Sequence, residues 1–219
     1  MIEALLFDAA GTLIAPAEPV GDTYARILGR HRIAYGDLQA GFARAFSEAG
    51  EPDFPSHVDG DAAERQWWRR VVDQSVGGEV PDEAFTDLFD HYAAGNAWSV
   101  LPGVVEALEV AHGFRLAVVS NFDRRLHRVL DELGLAPHFE LILTSADARA
   151  RKPSPVIFEH ALQQLGLSPS QVRHVGDSAI ADGEGAGNAG IRGYVLGRDI
   201  RDLPAFVALA RKADARNSL

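Results

Sequence analysis

Short, wholly apolar runs recur along this chain, each closing on a polar residue or a glycine. Stretches with the 3.6-residue spacing of helices lie between them. Residues 4–7 (Ala-Leu-Leu-Phe) are the first such run and predict a buried strand that delivers Asp8 into a glycine-containing turn. The alternation then stops. Tyr24, Ile27, Leu28 and His31 fall at helical spacing, as do Leu38, Phe42, Ala45 and Phe46. Two further amphipathic segments centre on Trp67, Trp68, Val71 and Val72 and on Phe85, Leu88, Phe89 and Tyr92, the second starting near Pro81. A polar loop over residues 51–60 separates the two pairs. Four helices with no intervening strand predict a separate helical module over residues 15–97.

From Trp98 onward the pattern changes. Leu101-Pro102-Gly103 introduces a helix to about His112, and residues 116–119 read as a buried strand ending at Ser120-Asn121. A helix over 124–133 stops at Gly134, a strand covers 141–144, and a helix over 155–165 stops at Gly166. Residues 172–175 form a strand ending at Gly176-Asp177-Ser178, and a glycine- and alanine-rich helix leads to a strand over 193–196. Such alternation implies a parallel sheet with right-handed crossovers. The expected fold is therefore α/β, a doubly wound core of residues 1–14 and 98–219 with the helical module inserted. The last few residues are expected to fray.

With 219 residues and 47% hydrophobic content the chain can bury a full core. No apolar run approaches the roughly 20 residues of a membrane span. No basic segment precedes the first apolar stretch, and Asp8 interrupts it, so a signal peptide is not expected. Cysteine is absent, which removes disulfides, thiolate metal sites and a cysteine nucleophile. A cytoplasmic protein is the simplest expectation. The net charge of −10 argues against a nucleic-acid surface. It leaves room for a small anionic substrate, because a local cation can reverse the field inside a cleft. No heptad or long apolar stripe demands a dimer.

The C-terminal ends of the strands in a doubly wound sheet share one edge, so Asp8, Ser120, Lys152 and Asp177 are expected to line one cleft. Asp8 is ionised at neutral pH and needs no base to become a nucleophile. Its repulsion from an anionic substrate calls for a divalent cation and an ammonium. Asp8, Asp177, Asp182 and the backbone carbonyl of Ala10 offer the oxygen ligands that suit Mg²⁺. The only lysines are Lys152 and Lys212, and Lys152 is the one near a strand end. Ser120 supplies a hydroxyl to orient a phosphoryl oxygen, Gly11 an unusual backbone angle, and Thr12 a hydrogen bond across the turn. His174 is expected to be structural. Of the adjacent Trp67 and Trp68, which a helix cannot point the same way, one is expected in the core of the module; for the other, core is the stronger expectation over a place facing the cleft.

Phe7-Asp8-Ala-Ala10-Gly-Thr12-Leu resembles the first motif of the haloacid dehalogenase (HAD) superfamily. Val118-Val-Ser120-Asn121 resembles its second motif, Lys152-Pro153 its third, and Gly176-Asp177-Ser-Ala-Ile-Ala-Asp182 its fourth. Four motifs in order make a specific signal where one alone is weak. Trp67-Trp68, Ser120-Asn121-Phe122-Asp123 and His174-Val-Gly-Asp177-Ser are similar to the branch called rhythmically expressed gene 2-like hydrolases. The resemblance implies a Rossmann-like core, an α-helical cap inserted after the first motif, a covalent aspartyl nucleophile at Asp8, and Mg²⁺. It also implies a substrate site that includes Gly11, Thr12, Ser120, Asn121 and Lys152.

One position departs from the pattern. The second Asp of the first motif, which in HAD phosphatases protonates the leaving oxygen and activates water, is Ala10 here. Loss of such help lowers rates by about 10²–10⁴. The expected activity is a phosphatase whose leaving group departs unprotonated or takes its proton from the cap. Dehalogenation of a 2-haloacid, in which halide leaves without a proton, and a binding protein without turnover are the alternatives. Phosphonoacetaldehyde hydrolysis requires a cap lysine, and residues 15–97 contain none.

Overall fold

Strand β1 (Ala4–Phe7) is apolar on both faces because it lies at the centre of a sheet covered on both sides. In the structure, a computed structural model describing residues 1–216 with side chains to 212, β1 pairs in parallel with β4 (Arg115–Ser120) and β6 (Val172–Gly176). β5 (Leu141–Thr144) and β7 (Arg192–Val195) complete a five-stranded parallel sheet of order β5-β4-β1-β6-β7. The chain therefore reverses its direction of winding at β1. There the loops leaving neighbouring strands part and open a crevice.

Alternate residues of each strand serve opposite faces. Leu5, Phe7, Val118 and Val175 face α5 (Val104–Val110), α6 (Arg125–Glu132) and α10 (Leu203–Arg216). Ala4, Leu6, Ala117 and Val119 face α8 (Pro155–Leu165) and α9 (Gly185–Asn188). Four helices over the C-terminal edge, α1 (Val20–Arg30), α2 (Leu38–Glu48), α3 (Gly60–Val76) and α4 (Asp82–His91), share a third apolar cluster around Tyr24, Leu28, Val72, Phe85 and Leu88. No helix among the described residues is long and apolar enough to cross a membrane.

Several features were not expected. The helical group joins the sheet through a two-stranded antiparallel ribbon, β2 (Ile14–Pro16) with β3 (Trp98–Val100). Strands of three residues carry too little alternation to read. A short helix α7 (Ser145–Ala148) follows β5, closed by a capping box between Thr144 and Asp147. The glycine-rich segment after β6 begins as a π-helix, Ala179–Glu184, before α9. The fraying expected at the C-terminus falls at residues 217–219, outside the described residues.

Candidate active site

The turn after β1 is built from backbone. The amides of Thr12, Leu13 and Ile14 all point at the Ala9 carbonyl, at 3.2, 2.8 and 3.0 Å, and the Gly11 amide donates to Ile14 at 2.8 Å. Gly11 has φ +94, and a Cβ there would sit 2.4 Å from Asp177 Oδ2, so glycine alone lets the turn pass this close to the acidic group. Thr12 does not bond across the turn as expected: its buried hydroxyl has no partner among the described residues. Ala10 is exposed on the same turn.

Asp8 emerges from this turn nearly buried, at 5% exposure. Its Oδ1 accepts from Lys152 Nζ at 2.6 Å and from Ser120 Oγ at 3.1 Å, leaving Oδ2 without a protein donor among the described residues. Lys152 is buried as well, and its ammonium also donates to Asp182 Oδ1 at 2.6 Å. Burial alone would lower the lysine's pKa, but the charges of Asp8 and Asp182 outweigh it and hold the group above its ordinary value. Asn121 fixes the main chain that carries this lysine. Its amide donates to the Lys152 carbonyl at 2.8 Å and accepts from the Lys152 amide at 2.7 Å.

Asp182 reaches the cluster from the π-helix. Burial opposes its ionisation, yet Lys152 and His174 hold its carboxyl well below the usual range. Its Oδ2 accepts from the Ser178 amide at 3.0 Å, and Oδ1 lies 2.8 Å from His174 Nε2. His174 is thus wired to the site rather than merely filling its strand. Asp177 is open to solvent, and burial of its inner side together with Asp8 and Asp182 pushes its pKa up to about 6. One ligand oxygen each from Asp8, Asp177 and Asp182 lie within 4.8 Å of one another. The structure therefore brings Asp8, Gly11, Ser120, Lys152, Asp177 and Asp182 together, with Asn121 behind Lys152.

The helical group meets this edge through residues the sequence did not single out. Arg124 bonds Asp61 and Asp147, and Arg149 donates to the carbonyls of Phe54, Pro55 and Val58. Glu64 and Arg151 form a buried ion pair at 2.5 Å. Trp67 packs in the interior and donates to the Gly50 carbonyl at 2.8 Å. Trp68 lines an apolar cavity of about 90 Å³ inside the helical group, along with Tyr24, Phe42, Leu88 and Phe122. Asp8 is not among the residues that line that cavity.

A family model described as haloacid dehalogenase-like hydrolase matches residues 2–190. The chain belongs to this family. The HAD domain-containing protein 3 of Mus musculus is 36% identical to this HAD hydrolase over 203 residues, covering 88% of this chain and 80% of that protein. The rhythmically expressed gene 2 protein of Drosophila melanogaster is 26% identical over 198 residues, covering 81% and 76%. Among solved structures, the HAD-hydrolase YfnB of Bacillus subtilis, bound to magnesium, superposes with a TM-score of 0.73 at 18% identity, covering 96% of this chain and 99% of that one. That likeness shows the shared fold.

Proposed function

We propose that this HAD hydrolase is a Mg²⁺-dependent phosphatase of a small phosphorylated molecule. In this reading residues 15–97 are the cap, residues 1–14 and 98–219 the core, and Asp8 the nucleophile. The observation that carries it is the Asp8 carboxylate, seated at the tip of the central strand with Oδ1 held by Lys152 and Ser120 and Oδ2 without a donor among the described residues. Oδ2 attacks phosphorus, the bond to the leaving oxygen breaks, and water then cleaves the aspartyl phosphate to restore Asp8. Lys152 and Ser120, already beside Oδ1, donate to the phosphoryl oxygens as charge grows on them. Thr12, whose buried hydroxyl has no partner among the described residues, fits a group that arrives with the substrate.

The donor set fits a hard cation. Three carboxylates face one ammonium, and no side chain donates to Asp177 among the described residues. Asp8, Asp177, Asp182 and the Ala10 carbonyl are the ligands we assign, with Asp182 also committed to Lys152 and His174. Bound there, Mg²⁺ would neutralise charge on the transferring phosphoryl group.

Ala10 defines the leaving group. With no carboxyl to protonate it, an acyl phosphate or anhydride, which departs as a stabilised anion, suits this site better than an alkyl ester. The same residue favours a second reading, displacement of halide from a 2-haloacid by Asp8, since halide leaves without a proton. Parallel assays of phosphate and halide release, each with and without Mg²⁺, separate the two. Phosphate release that needs Mg²⁺ and disappears in Asp8→Asn supports the phosphatase, and halide release without metal replaces it. Ala10→Asp, at an exposed position, should raise hydrolysis of alkyl phosphates at least about tenfold. A folded variant with unchanged rate would remove the missing acid as the explanation.

A further inference from the structure

The first turns of α3 do more than cover the cleft. Glu64 is completely buried, and the core fills its carboxylate. Arg151 donates from Nε to Oε1 at 3.1 Å and from Nη2 to Oε2 at 2.5 Å. The Ser145 hydroxyl lies 2.5 Å from Oε1 and 3.1 Å from the carbonyl oxygen of Phe122. Trp67 closes the other side of the guanidinium, its ring centroid 3.8 Å from Cζ. Each of these contacts ends beside the site. Arg151 directly precedes Lys152, and Phe122 is two residues beyond Ser120. One cap carboxylate therefore touches the segment that carries Lys152 directly, and reaches the segment after Ser120 through the Ser145 hydroxyl.

A buried ion pair is a poor device for stability alone, because desolvating two charges offsets much of their attraction and apolar residues do as well. The other pairs between α3 and the core differ in kind. Arg124 is 42% exposed, so its bonds to Asp59 and Asp61 are screened. Among the described residues, only the Glu64–Arg151 pair between α3 and the core is buried on both sides and adjoins a residue of the reacting cluster.

We propose that Glu64 is a positioning residue for Lys152. With the cap seated, the Glu64–Arg151 pair fixes the main chain at residues 150–152, and Asn121 completes the setting from the other side. Withdrawal of α3 leaves Arg151 without its counter-charge. The chain at 151 then resettles and the ammonium leaves its place between Asp8 and Asp182. Turnover is thereby restricted to the seated cap. The inference rests on the reading of Asp8 and Lys152 given above.

Glu64→Gln keeps the shape and removes the charge. Hydrogen exchange read by mass spectrometry tests the link without any substrate. Peptides spanning 60–76 and 145–154 should both exchange at least about tenfold faster in the variant, with β1 and β6 unchanged. Faster exchange in 60–76 alone, or in neither, overturns the proposal. In turnover, kcat should fall about 10- to 100-fold with KM within about twofold, the pattern of a displaced catalytic group. A raised KM with kcat intact overturns positioning and makes α3 a substrate-holding element. If Glu64→Gln does not fold, Arg151→Lys, which keeps the charge and loses the two-pronged contact, is read by the same criteria. A wild-type protein without turnover would count against the phosphatase reading, and the exchange result would still decide the link.

Discussion

Asp8, Ser120, Lys152, Asp177 and Asp182 carry formal charge or a hydroxyl at places where the chain leaves a buried strand or the loop after it, and that position made them legible in the sequence. His174 was not, although it lies 2.8 Å from Asp182. Inside a strand a histidine looks like any half-apolar filler, and only pairing in space shows that its ring meets a residue eight positions later. Asp177 carries a prediction of its own. Its folded pKa of about 6 lies above the ordinary 3.8, so between these values the native state binds more protons than the unfolded chain. Stability contributed by that proton is present below about pH 4 and is lost as pH rises through about 6. In chelator-treated protein, Asp177→Asn should be more stable than the parent at pH 7 and equal to it near pH 4. Because Asp177 is open to solvent, screening limits the gain to roughly 1 kcal/mol or less. Urea denaturation at the two pH values measures it, and a gain that is the same at both would contradict the assignment.

Elements differ in how much of themselves they announce. β5 and α8 were readable to the residue, since an apolar run bounded by polar residues and a helix opened by Ser154-Pro155 and closed by Gly166 leave little choice. The β2–β3 ribbon, α7 and the π-helical start of the segment after β6 are set by tertiary contacts that no short window contains. The docking of α3 belongs to this second group. Gly60, at its first turn, lies so close to the core that an added Cβ would sit 2.0 Å from the Ala146 carbonyl oxygen. Helix propensity alone would make Gly60→Ala stabilising by up to about 1 kcal/mol. The clash should win, because the oxygen belongs to backbone and cannot turn away. We expect destabilisation of about 1–3 kcal/mol. Thermal unfolding checks the sign, and a variant more stable than the parent would show that α3 is not held against α7.

Across the whole molecule, the sheet supplies rigidity, the winding reversal at β1 supplies the crevice, and the helical group supplies a cover tied down by Arg124, Arg149 and Arg151. The alternation of elements was enough to place the parallel core and the inserted helices. The clamps between them escaped notice because Glu64 and Arg151 are 87 residues apart and each reads locally as an ordinary surface charge. Of the acidic excess of this chain, −10 overall, only a small part lies in the site, where three carboxylates surround one lysine. In the function proposed above, one of them reacts and the others help to hold a cation. A crystal structure of the protein with beryllium trifluoride and Mg²⁺ tests this most directly. The account predicts beryllium bonded to Asp8 Oδ2, its fluorines within reach of Lys152 Nζ and Ser120 Oγ, and the metal against Asp177. Beryllium on another side chain, or Asp8 unmodified at saturating reagent and metal, would contradict it.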